Sequence, residues 1–250
     1  MIKFFRKIRK RLLSENKTSK YIIYALGEIL LVVIGILIAI QLNEWRNNTV
    51  NGQQKDKVLK ALQFEFQSNL AQLDTVQFYQ GKIIETYPEV MALIKSVDTI
   101  ENDSILHVAH MYLGYTWSFD PINGALRSGI SSGEIHLINN DRLLDLLFSW
   151  EDVVNDSKEE SLKQRNHQVK ALELFQKYVR VGDLWGSYYI GSVPGHFPSD
   201  PRGLYQDVLF EDYVTLSFFT SYEYVRELDV IRVNNLEILE LIEEEIEKKS

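Results

Sequence analysis

Apolar positions along this chain follow two different rhythms. From Tyr21 to Leu42 nearly every residue is apolar, and Glu28 is the single charge. Past Gln53 the apolar residues instead recur in steps of three and four, the signature of amphipathic helices. The 22 residues of the first stretch would make a helix of about 33 Å, against a hydrocarbon core of about 30 Å. A buried helix of a soluble protein is rarely apolar on every face for this length. A cleaved signal peptide is disfavoured as well. The run is long, and "QLNEW" after it offers no small-x-small cleavage site. The pattern predicts an uncleaved signal anchor, a transmembrane helix over 21–42.

The second rhythm predicts a bundle. Leu59, Leu62, Phe66, Leu70, Leu73 and Val76 form one stripe. Ile83, Tyr87, Val90, Ile94 and Val97 continue it, with Pro88 marking a kink or a fresh start. Residues 43–54 are polar and read as a juxtamembrane linker or a helix extension. "NDS" at 102–104 is a cap signal for a short helix through Leu106, Ala109 and Leu113. Asp120-Pro121 opens another, through Ala125 and Leu126, that should stop near Gly129 or Gly133. "EIHLI" suggests a brief extended piece. Asn139 or Asn140 then caps a helix from Asp141, with Leu143, Leu144, Leu147, Trp150 and Val154 inward. The stretch 155–168 is polar, and Val169, Leu172, Phe175 and Val179 resume the rhythm, so one long helix with a wet middle is expected. Residues 182–203, rich in Gly, Pro and aromatics, read as a long loop. From about Glu211, the residues Val214, Phe218, Tyr222, Val225, Leu228, Arg232, Asn235, Leu239, Ile242 and Ile246 fall near a heptad. The expected fold is all-α: one N-terminal transmembrane helix, then an antiparallel helical bundle over 55–250.

Charge adds orientation. The chain totals −8. Residues 1–20 hold eight basic side chains (Lys3, Arg6, Lys7, Arg9, Lys10, Arg11, Lys17, Lys20) against Glu15, a local +7 that leaves −15 on the rest. By the positive-inside rule the basic end stays in the cytoplasm and the acidic bulk lies outside. Ile2, Phe5, Ile8 and Leu12 sit at helical spacing among the basic residues, as in a short amphipathic helix on an anionic leaflet. A nucleic-acid arm would look similar, but this cluster abuts the anchor, where basic residues already have a topological role. Tyr21, Tyr24 and Trp45 stand at the two ends of the span, as interfacial aromatics do. Within it Gly27, Gly35 and Ala39, with Leu31 between, share a face on which a second helix could approach closely. Glu28 adjoins that face. Beside headgroups it would be bland; beside a second membrane helix it would supply a hydrogen bond or an ion pair.

The opening "MIKFFRKIRKRLLSENKTSKYIIYALGEILLVVIGILIAIQLNEW" resembles a family of uncharacterised single-pass membrane proteins of Bacteroidetes, a domain of unknown function. Its members begin with a basic run, then Ser-Lys-Tyr, Gly-Glu in the anchor, and an apolar run ending at Asn-x-Trp. "GALRSGISSGEIHLINNDRLL" is similar to the family's Ser-Gly-x-Leu-x-Leu-Ile-x-Asn segment, with Ile135 in place of the first Leu. The resemblance covers 1–46 and 120–150. It implies an inner-membrane protein with a periplasmic helical domain, and it brings no activity, substrate or catalytic residue.

Candidate chemistry is sparse. With no cysteine there are no disulfides, thiolate metal sites or cysteine nucleophiles. His107 and His110 share helical spacing, but only Asp103 is placed to join them as a metal ligand. "SGISSG" at 128–133 lacks the strand-turn-helix setting of a nucleophilic serine, and Ser131, Ser132 and Gly133 read as a helix end. Glu159-Glu160 and Glu243 to Glu245 read as solvated charge. No glycine-rich phosphate loop follows a strand. Trp185, Tyr188, Tyr189 and Phe197 in the long loop would either dock a partner or ligand or pack onto the bundle. The expected protein is non-enzymatic and cofactor-free, with no metal and no nucleic-acid partner. It sits in a bacterial inner membrane, pairing through Gly27, Glu28, Gly35 and Ala39 with a second copy or another membrane protein. Its periplasmic domain would serve interaction or scaffolding. The rival is a ligand-sensing domain that signals through a separate membrane partner; a periplasmic hydrolase is the least supported.

Overall fold

The computed structural model describes residues 18–96, 117–183 and 196–248. Among them every regular element is helical. These are α1 (Thr18–Lys95), α2 (Gly124–Ser132), a 3-10 turn (Glu134–Leu137), α3 (Asp141–Tyr178), α4 (Pro201–Tyr205) and α5 (Val208–Glu247). The chain divides into two compact units, Met1–Asp56 and Lys57–Ser250, with the boundary inside α1. The amphipathic segment over 1–20 lies outside the described residues up to residue 17. The cap and short helix at 102–113, and Val97, lie outside them too.

In the first unit the described side chains from Ile22 to Val50 are exposed, except for half-buried Ala25 and Glu28. Here α1 is the one helix, among the described residues, long and apolar enough to cross a membrane by length and composition. Residues 43–54 are helical, so the polar stretch extends the helix and is no loop.

The second unit is built on heptads. On α1 the buried positions Leu59, Leu62, Phe66, Asn69, Leu73, Val76, Gln80 and Ile83 alternate steps of three and four. On α5 the same alternation runs Val214, Ser217, Ser221, Tyr224, Leu228, Ile231, Asn235, Ile238, Ile242, Glu245. On α3 it runs Leu143, Leu147, Trp150, Val154, Ser157 and, two heptads on, Ala171 and Phe175. A period of 3.5 keeps one seam turned inward along long helices. Phe66 meets Trp150 ring to ring at 4.8 Å, and Gln80 meets Gln164, so α1 and α3 run in the same direction. Arg142 pairs with Glu237, and Tyr178 with Asp207, so α5 runs antiparallel to α3.

The seam holds two apolar cores with a polar layer between them. The first joins Leu59 to Val76, Leu143 to Val154 and Tyr224 to Ile242. The second joins Ile83, Val90, Ala171, Phe175, Val179, Leu204, Phe210 and Val214. Between them Gln80 Nε2 donates to Gln164 Oε1 at 3.0 Å, and Gln164 Nε2 donates back to Gln80 Oε1 at 2.7 Å. Gln164 Nε2 also reaches Ser221 Oγ at 3.1 Å. Buried Gln80 and half-buried Gln164, paired this way, satisfy each other's donor and acceptor. They permit only the register that brings them level.

Several expectations change here. On α5 the inward residues are Ser217, Ser221, Tyr224, Ile231, Ile238 and Glu245. Their neighbours Phe218, Tyr222, Val225, Arg232, Leu239 and Ile246 were the expected ones. At three of these six positions, Ser217, Ser221 and Glu245, a polar side chain is inside, and apolarity points one residue aside. Likewise Val169 and Leu172 on α3 are exposed, while Ala171 takes the inward place. Glu245 is buried, accepting from Lys248 Nζ at 2.7 Å, and is not solvated charge. "EIHLI" forms a 3-10 turn, not an extended piece. Ile135 and Ile138 are both buried, and a three-residue period places both inward where a strand would not. The helix also continues through Pro88, at an exposed position where water can reach the freed carbonyl. Within the expected long loop, Asp200 accepts from Gly203 N–H and Pro201 takes the first helical position, forming α4.

Other signals hold. Asn140 caps α3 by accepting from Leu143 N–H at 3.1 Å, and α3 is one long helix through the polar 155–168 stretch. Gly133, at φ 75, ends α2 in the left-handed conformation that glycine adopts without strain.

Two of the residues with buried polar atoms unpartnered among the described residues yield tests. Asn235 is fully buried with neither amide atom partnered among the described residues. Asn235→Leu places methyl groups where those atoms stand and should raise stability by about 1–2 kcal/mol, read as a higher Tm. Glu227 has a buried carboxylate oxygen with no partner among the described residues, and its pKa is raised by burial first and by Glu160 next. A carboxyl raised in the fold destabilises once ionised: the deficit is absent below the unfolded pKa and grows as pH rises through the folded one. Glu227→Gln should therefore raise Tm at neutral pH and leave it unchanged in acid, in a melting series across pH.

Candidate functional site

Three buried polar residues of α1 stand on a face that an apolar seam would fill: Glu65 at 5% exposure, Asn69 at 1% and Gln80 at 0%. All three are engaged by the crossover that enters at Trp117 and leads into α2. Gln80 Nε2 donates to the Trp117 carbonyl at 3.2 Å. Gln72 Oε1, at the edge of the same face, accepts from Asp120 N–H at 3.2 Å. Asn69 makes two bonds to one residue: its Nδ2 donates to the Ile122 carbonyl at 2.9 Å and its Oδ1 accepts from Ile122 N–H at 2.8 Å. Glu65 accepts from Ala125 N–H at 2.6 Å and from Leu126 N–H at 3.0 Å. The crossover thus lies antiparallel along α1 and is held residue by residue.

Glu65 does what the helix's own cap does not. Asn123 is the N-cap of α2, yet its side chain makes no capping bond. Its Oδ1 accepts instead from the Trp150 indole N–H at 3.1 Å. The orphan amides of the first turn of α2 turn to a carboxylate from another helix, where a negative charge also suits the helix dipole. Tyr224 completes the clamp by accepting from Phe119 N–H at 2.9 Å. Burial pushes its phenol up to about 12, so it stays neutral at physiological pH.

Because the crossover is pinned to α1, it does not close down on α3. A cleft of about 400 Å³ remains. One wall is Asp120 to Gly124; the other is Glu151, Val154, Asn155 and Lys158, four residues sharing one face of α3. Arg127 from α2 closes an end, with its Nε donating to Glu151 Oε1 at 2.7 Å. Lys158 Nζ donates to Asn155 Oδ1 at 2.9 Å, and Asp120 accepts from the Ser118 hydroxyl at 2.7 Å. The floor is Val154, 2% exposed, beside Pro121 and Ile122. The charged lining, Arg127 and Lys158 against Asp120 and Glu151, sums to zero. Such a cleft can hold a small polar ligand; it offers no nucleophile–base pair.

The residues singled out from sequence lie elsewhere. Gly27, Glu28, Gly35 and Ala39 are on α1 in the first unit, and the space that a Cβ on Gly27 or Gly35 would enter is open. Trp45 is 71% exposed and Phe197 is 67% exposed. Lys3, Arg6, Lys7, Arg9, Lys10, Arg11 and Lys17 lie outside the described residues. So do Asp103, His107, His110, Trp185, Tyr188 and Tyr189. No group of three or more His, Asp or Glu among the described residues is arranged to hold a metal. Ser132 Oγ accepts from Glu134 N–H at 3.3 Å at the end of α2, a structural role. Glu159 and Glu160 both pair with Lys163. The clamp residues and the cleft were missed from sequence. The available signal was a polar side chain at a heptad position, as at Asn69 and Gln80.

A family of unknown function, DUF6090, matches residues 28–162. The chain belongs to this family. The DUF6090 match begins at Glu28 and ends at Leu162, so it contains the clamp residues of α1, the whole crossover and every residue lining the cleft. It leaves out α4 and α5. No curated protein and no solved structure matches the chain.

Removing the trans cap tests the clamp. Glu65→Ala leaves two amides without their acceptor and should lower stability by about 2–4 kcal/mol, with Glu65→Gln losing less. The measurement is the denaturant midpoint; equal midpoints for Glu65→Ala and the parent would show that α2 is held by packing alone.

Proposed function

We propose that this member of DUF6090 is a single-pass inner-membrane protein of the Bacteroidetes type, with residues 1–20 in the cytoplasm and the helical unit in the periplasm. It works by protein interaction or scaffolding and carries out no catalysis. The observation that carries this reading is the outer face of α5. There Phe219, Tyr222, Val230 and Val233 are between 48% and 64% exposed, on the side opposite the buried seam. Apolar rows of this kind on a soluble domain favour contact with another protein. The basic N-terminal run supports the orientation, and the span from Tyr21 to Leu42, apolar but for Glu28 and Gln41, supports the bilayer as one partner. Within the bilayer Gly27, Glu28, Gly35 and Ala39 form the face for a second copy or another membrane helix, since small residues admit close approach beside a carboxylate. The cleft beside the crossover favours a second reading, a ligand-sensing unit that signals through a separate membrane partner.

Crosslinking in native membranes tests the interaction reading. The parent should give defined crosslinked species. Glu28→Leu should weaken those formed through the anchor, and Val230→Lys with Val233→Lys those formed through α5, with expression and membrane insertion unchanged. Identical crosslinking in the parent and both variants would reject the proposal.

A further inference from the structure

We propose that the cleft between the crossover and α3 binds a short peptide of three residues through its two charged ends. The lining supplies what such a ligand needs at the required separation. Glu151 and Lys158 are seven residues apart on one face of α3, about 10.5 Å of helix rise. An extended chain covers about 3.3–3.6 Å per residue, so a tripeptide reaches from one to the other.

At one end Glu151 gives only Oε1 to Arg127, leaving Oε2 to receive an ammonium group. Arg127 holds that carboxylate in place through Nε. At the other end Lys158 gives one of its three N–H bonds to Asn155, leaving donors for a carboxylate. Between the ends, Asn123 and Asn155 accept through their oxygens, and their amide NH2 groups are left to meet peptide carbonyls. Val154 gives side chains an apolar floor. The charges of the lining cancel, which disfavours an ion of one sign and favours a ligand that is itself neutral with separated charges. The wall is already set, because Asn69 fixes Ile122 by two hydrogen bonds, so little ordering is needed on binding. A volume of about 400 Å³ lies in the range of small-molecule sites.

The test is isothermal titration of the full-length protein in detergent with trialanine, N-acetyl-trialanine amide and inorganic phosphate. Trialanine should bind saturably, one per chain, with a dissociation constant of about 1 mM or tighter. The capped peptide should bind at least about tenfold more weakly, as should trialanine to Lys158→Met and to Glu151→Gln. Both substitutions are at exposed or half-exposed side chains, and unchanged melting curves would confirm the folded variants. Absence of saturable trialanine binding would overturn the proposal. So would phosphate binding as tight as trialanine, or trialanine binding unchanged in both variants.

Discussion

The fold of the helical unit turns on one requirement, that the backbone amides opening α2 find an acceptor away from water. Glu65 meets it from across the bundle, and its two bonds fix where a nine-residue helix begins. A buried amide without a partner costs about 1–3 kcal/mol, so the alternatives to this placement are poor. From that point the crossover is determined back towards Trp117, since Asn69, Gln72 and Gln80 each engage the next reachable backbone group. Trp150 can then take the side chain of Asn123, because α2 no longer needs it as a cap.

The same logic governs the layer where the two apolar cores meet. Leu and Ile at every seam position would pack well in more than one register. The Gln80–Gln164–Ser221 set is satisfied in one only. Polar seam residues therefore trade some apolar burial for a defined alignment of helices, two of them parallel and one reversed. Asn235 lacks such compensation, being buried without a partner among the described residues.

The pinned crossover keeps a neutral but charge-separated cleft open against α3, and the outward face of α5 is exposed on its own account. The DUF6090 match covers the cleft and the α1 residues of the clamp and stops before α5, which carries Tyr224. The shared block of the family is thus the segment that builds the pinned architecture, with the exposed apolar row on α5 outside it.

Much of this was legible in the chain itself. The run from Tyr21 to Leu42 is by itself long and apolar enough for a membrane span, and α1 carries it as continuous helix. Steps of three and four specify helices, and local chemistry specifies their ends: Asn140 and Gly133 act through atoms only a few residues away. The Asp-Pro start of α4 was equally local and went unread inside a Gly-rich, Pro-rich stretch. What the tertiary structure alone decided is which of two adjacent residues faces inward. A choice between Ser221 and Tyr222, or Asn69 and Leu70, goes by hydrophobicity to the wrong one. The polar residue is inside because its partner, Gln164 or Ile122, arrives from a distant part of the chain, and no local pattern encodes that arrival. The cleft has the same origin: it is the space left when one segment is bonded more firmly to α1 than it packs against α3.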